Sequence, residues 1–112
     1  MTTNLATLRF EVETEAIVHC TGRITSNTTE LLRAIVKPLI VENKAVVLDL
    51  SNVDYMDSSG LGTIIALYVS AKVNHCSLTV VNLNHRLKEL FSITKLGDVL
   101  TKLRDPNIPG VR

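Results

Sequence analysis

Two adjacent serines in Met56-Asp57-Ser58-Ser59-Gly60-Leu61-Gly62 are the first residues whose type could do chemistry. A serine hydroxyl becomes a nucleophile when a base lies beside it, and the candidate bases are His19, His75 and His85. Their spacing gives a triad no support. A nucleophile elbow needs Gly-x-Ser-x-Gly on a strained strand-to-helix turn, and Met56 stands where the first glycine belongs. Asp49, Asp54 and Asp57 could collect a Mg²⁺ ion; the favoured reading is that Asp49 and Asp54 shape a loop and Asp57 caps a helix. Gly60-x-Gly62 is too short for a dinucleotide fingerprint, and no Gly-Lys-Ser/Thr follows for a phosphate-binding loop. Cys20 and Cys76 form no Cys-x-x-Cys pair and have no histidine at metal-ligand spacing, so both read as reduced, partly buried thiols. No metal and no cofactor are expected.

What remains is the turn itself, polar and conformationally free. If Ser58 opens a helix there, a phosphate on it meets unpaired backbone N–H groups and the positive end of the helix dipole, an effect of about 0.3–1 kcal/mol. Against this stands the plainer reading that Ser58 or Ser59 merely caps the helix. Composition and spacing permit the phosphoserine, and taken alone they favour the capping reading.

The elements that must position this turn follow from hydrophobic periodicity. Leu8, Phe10 and Val12 alternate with Arg9, Glu11 and Glu13, and Ala16 to Thr21 follows after a short turn, which predicts a hairpin. Gly22 breaks the pattern. Ser26 or Asn27 is expected to cap a helix, with Glu30 completing a capping box after Asn27. Leu31, Leu32, Ile35, Leu39 and Ile40 recur at helical spacing, with Pro38 kinking or ending that helix by about Val41. Ala45-Val46-Val47-Leu48 predicts the central strand, followed by a loop over Ser51 to Met56.

Leu61, Ile64, Ile65, Tyr68 and Val69 then mark the buried face of a second helix, which puts Thr63, Ala66, Ser70 and Asn74 on its opposite face. Leu78 to Leu83 reads as a strand, and Asn84 caps a short helix bearing Leu87, Leu90 and Phe91. Val99 to Leu103 could add an edge strand, and 105–112 reads as a flexible C-terminal tail because its prolines and glycine suit neither helix nor central strand. The order implies a single α/β domain over 1–104 with a mixed four- to five-stranded sheet and helices mainly on one face.

A length of 112 residues fits one domain, and 46% hydrophobic against 21% charged residues excludes a disordered chain. A net charge of +1 without a basic stripe excludes nonspecific nucleic-acid binding, and 4% aromatics with no Trp excludes a single-strand stacking platform. The uncharged run from Ser58 to Ala71 is shorter than the ~20 residues that cross a bilayer. No positive leader precedes an apolar stretch at the N-terminus, so a soluble, cytoplasmic protein without membrane insertion is expected.

The stretch Val47-Leu48-Asp49-Leu50-Ser51-Asn52-Val53-Asp54-Tyr55-Met56-Asp57-Ser58-Ser59-Gly60-Leu61-Gly62 closely resembles the signature of STAS-domain anti-sigma factor antagonists. The resemblance extends to Thr21-Gly22-Arg23-Ile24, to Leu83-Asn84 and to Phe91-Ser92-Ile93-Thr94-Lys95-Leu96, and so covers nearly the whole chain except the tail. It implies an interaction module and not an enzyme. The first serine of the Asp-Ser-Ser-Gly turn, here Ser58, would be phosphorylated by a partner that is both anti-sigma factor and serine kinase. A PP2C-type phosphatase would reverse this, and a homodimer is a further candidate assembly. Asp57, Ser59, Gly60 and Thr25 would form the phosphosite environment, and Gly60, Gly62 and Thr63 at an exposed helix start would let the partner approach.

Two departures stand out. Thr25 follows Gly22-Arg23-Ile24 where family members often carry Asp, and the tail replaces a further amphipathic helix, leaving one sheet face open, covered by the tail, or covered by another subunit. The alternative is a non-switching scaffold, either a stressosome subunit or the STAS partner of a lipid-transport ATPase. Transport-associated relatives usually lose the Ser-Ser pair, and stressosome subunits usually carry an extra N-terminal domain, so the intact pair favours the antagonist.

Overall fold

Alternating and β-branched segments separated by two helical ones arrange themselves as the periodicity requires. A computed structural model of the chain describes residues 8–13 and 16–93. The elements run β1 (Leu8–Glu13), β2 (Ile17–Ile24), α1 (Thr29–Glu42), β3 (Ala45–Met56), α2 (Ser58–Val73), β4 (Ser77–Val81) and α3 (His85–Ser92). The four strands form one mixed sheet in the order β1-β2-β3-β4, with β1 antiparallel to β2 and the other pairs parallel. This is the single α/β domain expected, and Ala45 to Leu48 lies in an interior strand. The two crossovers step the same way along the sheet, so the right-handed rule puts α1 and α2 on one face. Val18, Cys20, Val46, Leu48, Leu50, Leu78 and Val80 meet Leu32, Val36, Ile40, Ile64, Leu67 and Ala71 in the main core.

Several local expectations are corrected. The loop predicted over Ser51 to Met56 is instead the second half of β3. The register shows why: His19 pairs with Asp49 but Thr21 with Asn52, and Gly22 pairs with Val53 but Arg23 with Tyr55. Each step places an extra residue in β3, so its buried side chains Leu50, Val53 and Met56 recur every third residue and the period-two signal disappears. Gly22 does not end β2, which runs on to Ile24; it adopts φ 124 at the second irregularity, where a side chain would strain the backbone.

The capping box at α1 does not form, because the helix starts one residue later and its N-cap is Thr28, whose side chain makes no capping bond. The Thr28 hydroxyl instead donates to the Arg23 carbonyl at 2.9 Å and accepts from the Thr25 N–H at 2.9 Å, closing the β2–α1 loop on itself. Pro38 is accommodated, and the helix continues through it to Glu42.

The buried face of α2 is rotated from the expected one: Gly60, Leu61, Thr63, Ile64, Leu67 and Ala71 face inward, while Val69 is 53% exposed and Ile65 and Tyr68 sit at the margin of the core. Asn84 caps α3 as expected, its side-chain oxygen accepting from the Leu87 N–H at 2.8 Å, and Leu87 and Phe91 are buried. Ile17, Val47 and Val81 form a small second cluster. The edge strand at Val99 to Leu103, the domain end at residue 104 and the tail lie outside the described residues.

Candidate functional site: a serine turn at the start of the second crossover helix

Parallel strands carry their following loops to one end of the sheet, and the C-terminal ends of β2 and β3 are joined side by side through Arg23–Tyr55 and Ile24–Met56. Asp57 leaves β3 at this end. Its N–H donates to the Ile24 carbonyl at 3.2 Å, and its extended backbone makes it the N-cap of α2. One carboxylate oxygen accepts from the Gly60 N–H at 2.9 Å, and the other accepts from the Ser26 N–H at 3.2 Å. A single aspartate thus caps the helix and latches the β2–α1 loop to it. Asp57 was legible as a cap; its second bond was not, because Ser26 lies 31 residues away and only the strand register brings it near.

With capping done by Asp57, the hydroxyls of Ser58 and Ser59 are not needed for it, and both residues are exposed. This removes the reading in which either serine serves as the cap. Ser58 and Ser59 open α2, and their N–H groups belong to the first helical turn, where no intrahelical acceptor exists. The end of the macrodipole and these donors favour negative charge on Ser58.

The other residues named from the sequence divide. Gly62 is exposed, and a Cβ added there would meet nothing within 4 Å, so it remains open to a partner. Gly60 and Thr63 do not lie at an exposed helix start as expected. A Cβ at Gly60 would run into the Ile24 carbonyl oxygen and come within 2.8 Å of Ile24 Cγ2 and Met56 Cγ, so its role is to let α2 close onto the ends of β2 and β3. Thr63 is buried, and its hydroxyl donates to the Ser59 carbonyl at 2.9 Å. Thr25 is also buried, within the loop that Thr28 closes and next to the latch formed by Ser26. Arg23, which sequence reasoning passed over, places its guanidinium carbon 4.7 Å from the Tyr55 ring centroid and is the cation nearest along β2 to this turn.

The remaining chemical candidates are separate from the turn. Asp49 Oδ2 lies 2.6 Å from His19 Nδ1, and Asp49 Oδ1 accepts from the Ser51 N–H and the Asn82 amide at 3.0 and 2.9 Å. Burial works to raise this carboxyl, but the bonds from Asn82, Ser51 and His19 prevail and hold it below its ordinary value. His85 pairs with Glu89 on the surface of α3, and His75 follows the C-terminal end of α2, so the three histidines are dispersed. Among the described residues, no three of His, Cys, Asp or Glu stand close enough to share a metal ion.

The comparison with known proteins matches this arrangement. The STAS domain profile fits residues 8–106. The chain belongs to the STAS domain family. This STAS domain is 34% identical to the anti-sigma-B factor antagonist of Bacillus subtilis (strain 168) over 88 residues, covering 79% of this chain and 81% of the relative. Its fold is similar to that of an anti-sigma factor antagonist from Mycobacterium paratuberculosis, with a TM-score of 0.70 at 24% identity over 87% of this chain and 83% of that one. It is similar also to the Bacillus cell fate determinant SpoIIAA in its phosphorylated form, with a TM-score of 0.64 at 19% identity over 81% and 86% of the two chains. At such identities the structural likenesses establish the fold of the STAS domain and nothing finer.

Proposed function

We propose that the protein is a cytoplasmic anti-sigma factor antagonist, a non-enzymatic module that binds an anti-sigma factor with serine-kinase activity and thereby releases the sigma factor. Phosphorylation of Ser58 by that partner switches it off, and a PP2C-type phosphatase restores it. The observation that carries this reading is the exposed Ser58 at the first position of α2, freed from capping by Asp57. The antagonist relative from Bacillus subtilis supports the partner class, and a SpoIIAA structure described as phosphorylated supports a phosphate on this fold.

The physical account of the switch is electrostatic. Phosphorylation takes the formal charge from +1 to about −1 and sets a dianion where the partner must dock. The fold tolerates it at a helix N-terminus, whereas a docked surface that leaves it unpaired loses several kcal/mol. About 5.5 kcal/mol of differential affinity turns a 99:1 equilibrium into 1:99, so one group is sufficient.

The test is incubation with the cognate kinase and ATP followed by mass spectrometry and binding measurements. Phosphate is expected on Ser58, with Ser58→Ala retaining binding and resisting phosphorylation, Ser59→Ala still phosphorylated, and Ser58→Asp weakening binding with thermal stability nearly unchanged. Phosphate on Ser59 or Thr25 overturns the residue assignment. No phosphate at all favours the non-switching scaffold.

A further inference from the structure

At the end of the sheet away from Ser58, about 21 Å along α2 at 1.5 Å per residue, the chain forms an open surface cavity of about 460 Å³, with Lys44, Lys72, His75 and Ser77 exposed on its rim. Lys44, Lys72 and His75 line it together with Tyr68, Ser77 and Leu78, and among the described residues no carboxylate does. Among the described residues neither lysine ammonium pairs with an acidic side chain. Lys72 Nζ lies 5.8 Å from the Tyr68 ring centroid.

This convergence is built by the last turn of α2 and the entries to β3 and β4. His75 adopts φ 58 just past the helix, and the Ser77 N–H donates to the Lys44 carbonyl at 2.9 Å, which fixes Lys44 beside the start of β4. A helix C-terminus ordinarily repels anions through its free carbonyls. Here three of those acceptors are occupied: Asn74 donates through its N–H to Ser70 and Ala71, the Cys76 N–H donates to Ala71, and the His75 N–H donates to Lys72. Cys76 contributes a neutral wall, because burial pushes its thiol up and keeps it protonated.

We infer that this cavity binds a small organic phosphate, with the phosphoryl group between Lys44 and Lys72 and an apolar or ring portion against Tyr68 and Leu78. Two unpaired ammonium groups and the Ser77 and Tyr68 hydroxyls supply the donors, and the volume lies in the range of small-molecule sites. The site is separate from the Ser58 turn and does not depend on that turn's role. A ligand here leaves the proposed docking end of the molecule uncovered.

The inference is tested by amide NMR titration of the full chain with phenyl phosphate and with inorganic phosphate, at low ionic strength. Both are expected to give saturable shifts at Lys44, Lys72, His75 and Ser77, with phenyl phosphate about fivefold tighter through the Tyr68 and Leu78 wall. The exposed-site variants Lys44→Gln and Lys72→Gln should each weaken both probes about tenfold without changing Tm, and added salt should do the same progressively. Non-saturating shifts, shifts spread over all lysines, or an affinity unchanged in the double variant overturn the site. Equal affinities for the two probes overturn the organic portion, and shifts confined to Ser58, Ser59 and Gly60 place the anion at the helix start instead.

Discussion

Asp57 is the residue on which the site's geometry depends, since its carboxylate holds both the first turn of α2 and the β2–α1 loop. Asp57→Ala should cost about 1 kcal/mol for the lost cap, typically 0.5–2, and the loss of the Ser26 bond should add to it. Urea denaturation measures the sum, and an unchanged midpoint would show that the latch contributes nothing. Gly60 makes a sharper case, because a methyl group there meets the Ile24 backbone carbonyl, which no side-chain rotation can clear, as well as the Ile24 and Met56 side chains. Gly60→Ala is expected to cost about 1–3 kcal/mol by overpacking. Gly62→Ala, two residues on and facing solvent, should leave stability unchanged or raise it slightly, since alanine favours a helix. Comparable losses at both positions would contradict the close approach of α2 to Ile24 and Met56.

At the scale of the element, α2 shows how a helix can be recognised while its rotation is misjudged. It is apolar nearly all round, with Leu61, Ile64, Ile65, Leu67, Tyr68, Val69 and Val73, so spacing alone allows more than one inward face. The sheet selects the face that buries Ile64 and Leu67 completely, and Gly60 and Thr63 are small enough to lie on it. Ile64→Ala should therefore cost about 2–5 kcal/mol as a core truncation, and Ile65→Ala distinctly less, because Ile65 lies at the margin. Paired melts of the two variants decide the rotation, and the reverse order would refute it.

At the scale of the whole molecule, the half-buried polar cluster on the sheet makes stability depend on pH in a definite direction. The Asp49 carboxyl ionises below its ordinary 3.8 in the folded chain, so the ionised form favours folding. That contribution is complete above about pH 5 and is lost as pH falls through 3.8 toward the folded value. The Tm advantage of the native chain over Asp49→Asn should accordingly shrink on acidification, and parallel curves between pH 3 and 6 would show that the His19, Ser51 and Asn82 bonds do not act in this way. The same interior protects the Cys20 thiol. Burial, with a smaller contribution from the Asp49 charge, pushes Cys20 up to about 12, leaving roughly one thiolate in ten thousand at pH 8. Cys20 should not react with a thiol reagent until the chain unfolds, and its fast reaction under native conditions would disprove that burial.

The hairpin, the interior strand at Ala45 to Leu48, the helix beginning at Ser58 and the Asn84 cap were legible in the sequence, because each rests on local periodicity or on a capping residue. The Asp57-Ser58-Ser59-Gly60 turn was legible for the same reason: its residue types and order are local. Three things were not. The second half of β3 was hidden because two extra residues destroy the alternation, and pairing with β2 alone reveals them. The rotation of α2 was hidden because the sheet against which it packs is assembled from distant segments. The latch between Asp57 and Ser26, and with it the freedom of Ser58 from capping, arises only when parallel strands carry two loops 31 residues apart to one end of the sheet. Local sequence determines which groups are present and what each can do, whereas the tertiary structure decides which of those groups meet, because that depends on strand register and close packing.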